Sequence, residues 1–177
     1  FKITNGPDAP DLIIQELDKQ LNIYLYNGTS SNNYAEHYPF VPTKTEKDPN
    51  ITSGTDTAWI FQGYKLYQLK NASTSAADLN NIDKARLVGI YDLKDGVTQI
   101  INYYIGVDPN PNYWTPQEMV NSSDNGLQHT ITVTKDLFAT GDPTLVNHKT
   151  YYFMAIAYAY NPGEVAPDPA NPTNGVN

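Results

Sequence analysis

Short runs in which apolar and polar or small side chains alternate recur along this chain, each soon ended by Gly, Pro, Asn or Asp. A period of two sends successive side chains to opposite faces, which suits a strand and cannot make an amphipathic helix. LNIYLYNG (21–28) sets Leu21, Ile23 and Leu25 on one face and Tyr24 and Tyr26 on the other, before an Asn-Gly turn signal. WIFQGYKLYQLK (59–70), ARLVGIYDL (85–93), VTQIINYYI (97–105), HTITVTKDL (129–137) and HKTYYFMAIAYAY (148–160) repeat the pattern, and Leu12 to Ile14 opens it after the proline-flanked PDAP. Strands of this number and spacing predict an all-β, antiparallel sandwich.

Helix signals are sparse. TSAADLNNI (74–82) predicts one or two helical turns, and Thr115-Pro116-Gln117-Glu118 reads as an N-cap followed by proline at the first helical position. Two stretches rich in Asn, Pro and Ser, residues 27–58 and 106–128, read as long loops inserted into one domain over 1–162. Residues 163–177, rich in proline and poor in apolar side chains, read as a linker or extended arm.

The chain of 177 residues fits a single domain. With no cysteine it has no disulfide, thiolate metal site or cysteine nucleophile. A net charge of -8 argues against nucleic-acid or anionic-membrane partners, which it would repel. Only 17% of residues are charged, and 14 tyrosines with 13 prolines give the texture of an extracellular adhesive module. The longest apolar run, Tyr151 to Tyr160, is about half the roughly 20 residues a membrane helix needs. An export signal is therefore expected to have been removed, or the chain to be a piece of a longer exported protein.

Catalytic signatures are lacking. His37, His129 and His148 form no close pair, no two glycines stand as G-x-G, and no G-x-S-x-G occurs, so no enzyme and no cofactor are expected. Asp108, Asn110 and Asn112 place oxygens at alternate positions, as calcium loops do. Tyr113 stands where such a loop needs glycine and Met119 where it needs glutamate, which favours a proline-stiffened turn and no metal. Tyr34 and Tyr38 in the first long loop, and Tyr113 and Trp114 in the second, lie among Asn and carboxylate side chains. Such a grouping suits a sugar's mixed faces, or anchors a loop to the domain body.

Three stretches resemble the fibronectin type III family: PDAPDL at the entry, Gly63-Tyr64-x-Leu66 in FQGYKLYQLK, and LVNHKTYYF, where Leu145 precedes Tyr151 by six residues. The resemblance implies a fibronectin type III or immunoglobulin-like sandwich in which the Tyr151 hydroxyl bonds back to the chain and pins a crossover between sheets. Leu25 takes the place of the family's core tryptophan, and His148 stands where the turn favours glycine. Leu145, Tyr151, Tyr64, Leu66 and Leu25 are then structural. The texture is also similar to domains of large exported Bacteroidetes proteins that use type IX secretion. Asp56-Thr57-Ala58 resembles the O-glycosylation motif of such proteins, with Thr57 as the acceptor.

If Tyr151, Phe153, Ala155 and Ala157 face the core, then Tyr152, Met154, Ile156, Tyr158 and Tyr160 point outward, with Tyr67 and Leu69 extending the patch. A free sheet face is normally polar, so this one is expected to be covered, by the chain's own loops or by a flanking domain or neighbouring subunit. A sandwich with seven strands would also leave an edge open beside Tyr151 to Tyr160, to be closed by downstream sequence or by another chain. The expected role is a non-catalytic spacer or adhesive module of a large secreted or cell-surface bacterial protein. The alternative is a carbohydrate-binding module attached to an exported hydrolase.

Overall fold

The computed structural model describes residues 6–40, 59–105 and 114–162. Its strands are β1 (Asp11–Leu17), β2 (Gln20–Tyr26), β3 (Pro39–Phe40), β4 (Trp59–Leu69), β5 (Ala85–Asp92), β6 (Gln99–Ile105), β7 (Trp114–Asn121), β8 (Thr130–Val133) and β9 (Tyr152–Tyr160). β1, β2 and β8 form one antiparallel sheet in that order. In the second sheet β4 is central, with β9 along one side and β5 and the short β3 along the other. β6 and β7 make a separate hairpin.

The alternation seen in the sequence determines which side chains meet. Ile23 and Leu25 from β2 and Ile131 and Val133 from β8 face Phe61, Tyr64 and Leu66 from β4 and Ala155 from β9 in one buried cluster, joined by Tyr38 and Leu145. Two sheets packed over one apolar layer make an all-β sandwich.

Gly63-Tyr64-x-Leu66 has a physical reading at each position. A Cβ on Gly63 would stand 2.5 Å from the Tyr91 carbonyl oxygen and 2.8 Å from the Tyr158 hydroxyl, so no larger residue fits. The β4–β9 register shifts between Phe61 and Gly63. That bulge turns the strand so that Phe61 and Tyr64, three apart, both face the core with ring centroids 4.9 Å apart. Tyr64 and Leu66 are fully buried.

Between β8 and β9 the chain crosses from one sheet to the other. Leu145 is buried in the core, and the Tyr151 hydroxyl accepts a hydrogen bond from the Val146 N–H at 2.8 Å. His148 lies at φ 63, the left-handed region where glycine is at ease. Tyr151→Phe should leave the Val146 N–H to water alone and cost about 1 kcal/mol. Thermal unfolding would then begin about 2–4 °C lower, and an unchanged midpoint would show that the hydroxyl does not pin the crossover.

Several expectations need correction. Thr115 to Glu118 is not a helix start: it lies in β7, where Thr115 pairs with Tyr104 and Pro116 with Tyr103. Residues 114–121 of the 106–128 stretch are therefore the second arm of a hairpin rather than loop, because β7 satisfies its backbone against β6. Asn27-Gly28 does not close a hairpin. The tight turn is Asp18-Lys19, with Lys19 at φ 52, and β2 instead pairs with the distant β8. The 129–137 strand stops at Val133, after which the chain turns Asp136 inward. TSAADLNNI holds one 3-10 turn, Ala76–Asp78, with a reciprocal Ser75–Asp78 capping box. Residues 163–177, Thr57, Asp108, Asn110, Asn112 and Tyr113 lie outside the described residues.

Candidate interaction surfaces

The register places β9 side chains as the sequence suggests. Ala157, Ala155 and Phe153 stand beside Tyr64, Leu66 and Gln68 on the inner face. Tyr158, Ile156, Met154 and Tyr152 stand beside Gly63, Lys65, Tyr67 and Leu69 on the outer face. β5 continues those outer rows with Asp92, Ile90, Leu87 and Ala85. Met154, Tyr67 and Leu87 thus lie side by side across three strands, an apolar row on a face that is normally polar.

The β6–β7 hairpin reaches one end of this face. Lys65 Nζ donates to the Met119 carbonyl oxygen at 2.5 Å, and Ser122 Oγ donates to the Asp92 carboxylate. Burial lowers the Lys65 pKa. Its ammonium sits 5.6 Å from the Tyr158 ring centroid. Burial foremost, and then Asp92 and Asp95, push the Tyr158 hydroxyl well above its ordinary value. Tyr152, Met154, Ile156, Tyr158 and Tyr160 are all half-buried, as is Tyr67. Leu69 departs from the expected patch, since it points outward yet is buried. Ala85 beside it is buried too, while Leu87, in the row between the two ends, is 45% exposed.

The described part of the first long loop, residues 27–40, is built as an anchor. Tyr38 is only 8% exposed and packs in the core, so it offers no face to a sugar. Asn32 is held by Asp8, whose N–H it accepts at 2.7 Å, and by the Gly6 carbonyl, to which it donates at 3.0 Å. The buried Tyr64 hydroxyl donates to Glu36 Oε1 at 3.1 Å and accepts from Asn27 Nδ2 at 2.5 Å, while His129 Nε2 meets the same Glu36 oxygen. Ala35 and Glu36, at φ 52 and 61, adopt strained left-handed conformations that bring this carboxylate inward. Burial foremost pushes the Tyr64 hydroxyl pKa far up, so it stays a neutral donor. Tyr34, by contrast with Tyr38, is exposed.

A second surface escapes the sequence reading. Along the inner face of the first sheet, exposure runs from 3% at Ile131 through 0% at Ile23 to 43% at Ile14, three residues side by side in register. The face is sealed under β8 and β2 and open under β1. A groove of about 620 Å³ runs here between the β1–β2 hairpin and the crossover, lined by Ile14, Leu17, Leu21, Val146 and Tyr151 among others. Adjacent Ile13 and Ile14 gave no hint of which one faces inward.

Among the described residues no group of three His, Asp or Glu side chains is placed to hold a metal ion, and no helix is long and apolar enough to cross a membrane. No family model, curated protein or solved structure matches this chain.

Proposed function

We propose that this chain is a non-catalytic interaction module, a spacer or adhesive domain of a large exported bacterial protein, with a fibronectin type III-like sandwich. The observation that carries the reading is the apolar row Met154–Tyr67–Leu87 on the outer sheet face, where Leu87 stays 45% exposed between two buried ends. Such a patch marks a surface that docks a flanking domain or a neighbouring subunit. Sheet order adds support. Immunoglobulin-type sandwiches put the first two strands with a later one in one sheet and the intervening strand with another late one in the other, as β1-β2-β8 and β4-β9 do here. The high tyrosine and proline content and low charge fit an extracellular setting.

Sedimentation velocity across a concentration series, with and without the flanking domains of the parent protein, tests the reading. Self-association or docking should weaken at least about tenfold, or roughly 1.4 kcal/mol, in Met154→Asp/Leu87→Asp. A strictly monomeric chain that docks to nothing would overturn it. Glycan-array binding that disappears with Tyr34→Ala or Trp114→Ala would instead favour the carbohydrate-binding alternative.

A further inference from the structure

We infer that the hairpin end of the outer sheet face is a calcium site, formed by the carboxylates of Asp92 and Asp95 with the amide oxygen of Gln62 and the hydroxyls of Tyr158 and Ser122. The inference stands apart from the apolar row and does not need that row to dock a partner.

Buried oxygens gather at the β4 bulge. Gln62 sits in that bulge, fully buried, and its Nε2 donates to Asp95 Oδ1 at 3.0 Å. The other atom of the same amide, Oε1, is buried with no hydrogen-bond partner among the described residues. Gly63 next to it makes room for a second such oxygen. The Tyr158 hydroxyl and the Asp92 Cα each lie 2.8 Å from where a Cβ on Gly63 would stand, so a larger residue would push the hydroxyl away. That hydroxyl too is buried without a partner among the described residues. Both carboxylates act on it, adding to burial in raising its pKa.

Asp92 decides the matter. It is only 2% exposed, yet among the described residues its carboxylate receives a hydrogen bond from Ser122 Oγ alone. None of the ion pairs formed there includes Asp92 or Asp95. Lys65, on the same face, gives its ammonium to the Met119 carbonyl, and Lys94 is exposed. A buried carboxylate with one hydroxyl donor is costly until a cation or further donors compensate it. A bridging water would join Gln62 Oε1 to the Tyr158 hydroxyl but bring no charge to Asp92. The donors are carboxylate, amide and hydroxyl oxygens, the set that hard cations take, with no imidazole or sulfur among them. Calcium accepts an irregular oxygen cage, whereas magnesium demands a near-ideal octahedron. Two carboxylates place the affinity in the weak range, on the order of 10⁻⁴–10⁻³ M. Asp95 is exposed and gives the ion its way in. Gln62 belongs to β4, Asp92 to β5 and Tyr158 to β9, while Ser122 directly follows β7, so the ion clamps the hairpin to the sheet.

The probe is calcium chloride added to the full chain in metal-stripped buffer, read by titration calorimetry and thermal unfolding. A roughly ten- to hundredfold excess over Kd should raise Tm by about 3–10 °C. Asp95→Asn, at an exposed position, should keep the calcium-free Tm and lose at least about tenfold in calcium affinity. Asp92→Asn should lose as much, while its calcium-free Tm stays level or rises because a buried charge has gone. Asp83→Asn, an exposed carboxylate ahead of β5, should keep the full response. Four results would overturn the inference. The first is neither heat nor a Tm shift at about 10 mM calcium, well above the Kd range of weak sites. The second is an unchanged response in Asp95→Asn. The third is a lower calcium-free Tm in Asp92→Asn, which would mean that the chain's own groups already satisfy that carboxylate. The fourth is an equal shift from magnesium or from sodium chloride at matched ionic strength, which would be screening of a chain with net charge -8.

Discussion

Leu66→Ala is expected to lower the unfolding free energy by about 3–4 kcal/mol, near the upper part of the range for buried leucines. The size of the loss follows from its neighbours. Leu66 is fully buried, and its register partners on the two flanking strands are Ala155 and Gly89. The space over Gly89 is already taken by the Tyr91 ring, whose hydroxyl would stand 2.7 Å from a Cβ there. No long aliphatic chain beside Leu66 can swing into the hole, so the cavity term persists. Urea unfolding followed by circular dichroism would measure the change. Leu87→Ala, outward on the same sheet and 45% exposed, should cost under about 1 kcal/mol and serves as the comparison. A Leu66→Ala loss no larger than that of Leu87→Ala would mean that the two sheets do not press together at this point.

The second large effect is expected at Asp136, a carboxylate buried at the end of the sandwich. Its Oδ1 accepts from Gln68 Nε2 at 2.7 Å and from the Phe138 N–H at 2.9 Å, and its Oδ2 accepts from Lys149 Nζ at 2.7 Å. Gln68 in turn accepts the Leu137 N–H at 2.7 Å, and Arg86 donates to the Leu137 carbonyl while lying 4.6 Å over the Phe138 ring. Asp136 thus ties β4 to the segments before and after the crossover, and Leu137 next to it ties in β5 through Arg86. Burial acts to raise the Asp136 pKa, but the bonds from Lys149, Phe138 and Gln68 together outweigh it and hold the group below its ordinary value.

In Asp136→Asn the new amide NH₂ would face the Lys149 ammonium, donor against donor. The expected loss is about 2–3 kcal/mol, below the 3–5 typical of a severed buried pair because Lys149 is half exposed. The pH sign follows from the depressed pKa. The carboxylate stabilises the fold above its unfolded pKa of about 3.9, and that contribution disappears as pH falls through the lower folded value. Asp78, drawn down to about 2 by Lys84 and Ser75, and Asp142, lowered by Thr144, add to the same acid limb. The wild-type-minus-variant stability difference should therefore be flat near neutrality and shrink below about pH 4. A difference that stays constant down to pH 2 would remove Asp136 from the acid response.

Parts of the candidate surfaces were legible in the sequence. The inward set Phe153, Ala155 and Ala157 and the outward set from Tyr152 to Tyr160 follow from alternation alone, and the Leu145–Tyr151 spacing marked the crossover hydroxyl. Leu69 was misread because its outward direction is set locally while its burial depends on what lies above it. Tyr38 was misread for the same reason: a loop aromatic next to asparagines looks the same in sequence whether it faces solvent or the core. Asp136 gave no signal, since its partners Gln68 and Lys149 are 68 and 13 residues away.

The sequence by itself determined that this chain forms strands and which side of each strand is apolar, because a period of two is imposed by the geometry of one extended backbone. The tertiary structure decided what no local pattern encodes: that β2 lies beside β8 across more than a hundred positions, as in Asn22 opposite Thr132, that a bulge at Gly63 turns Phe61 and Tyr64 to the same side, and that Ile14 stays half exposed beside fully buried Ile23. Pairing, bulges and exposure depend on which distant segments meet, and a strand's own residues carry no record of what stands opposite.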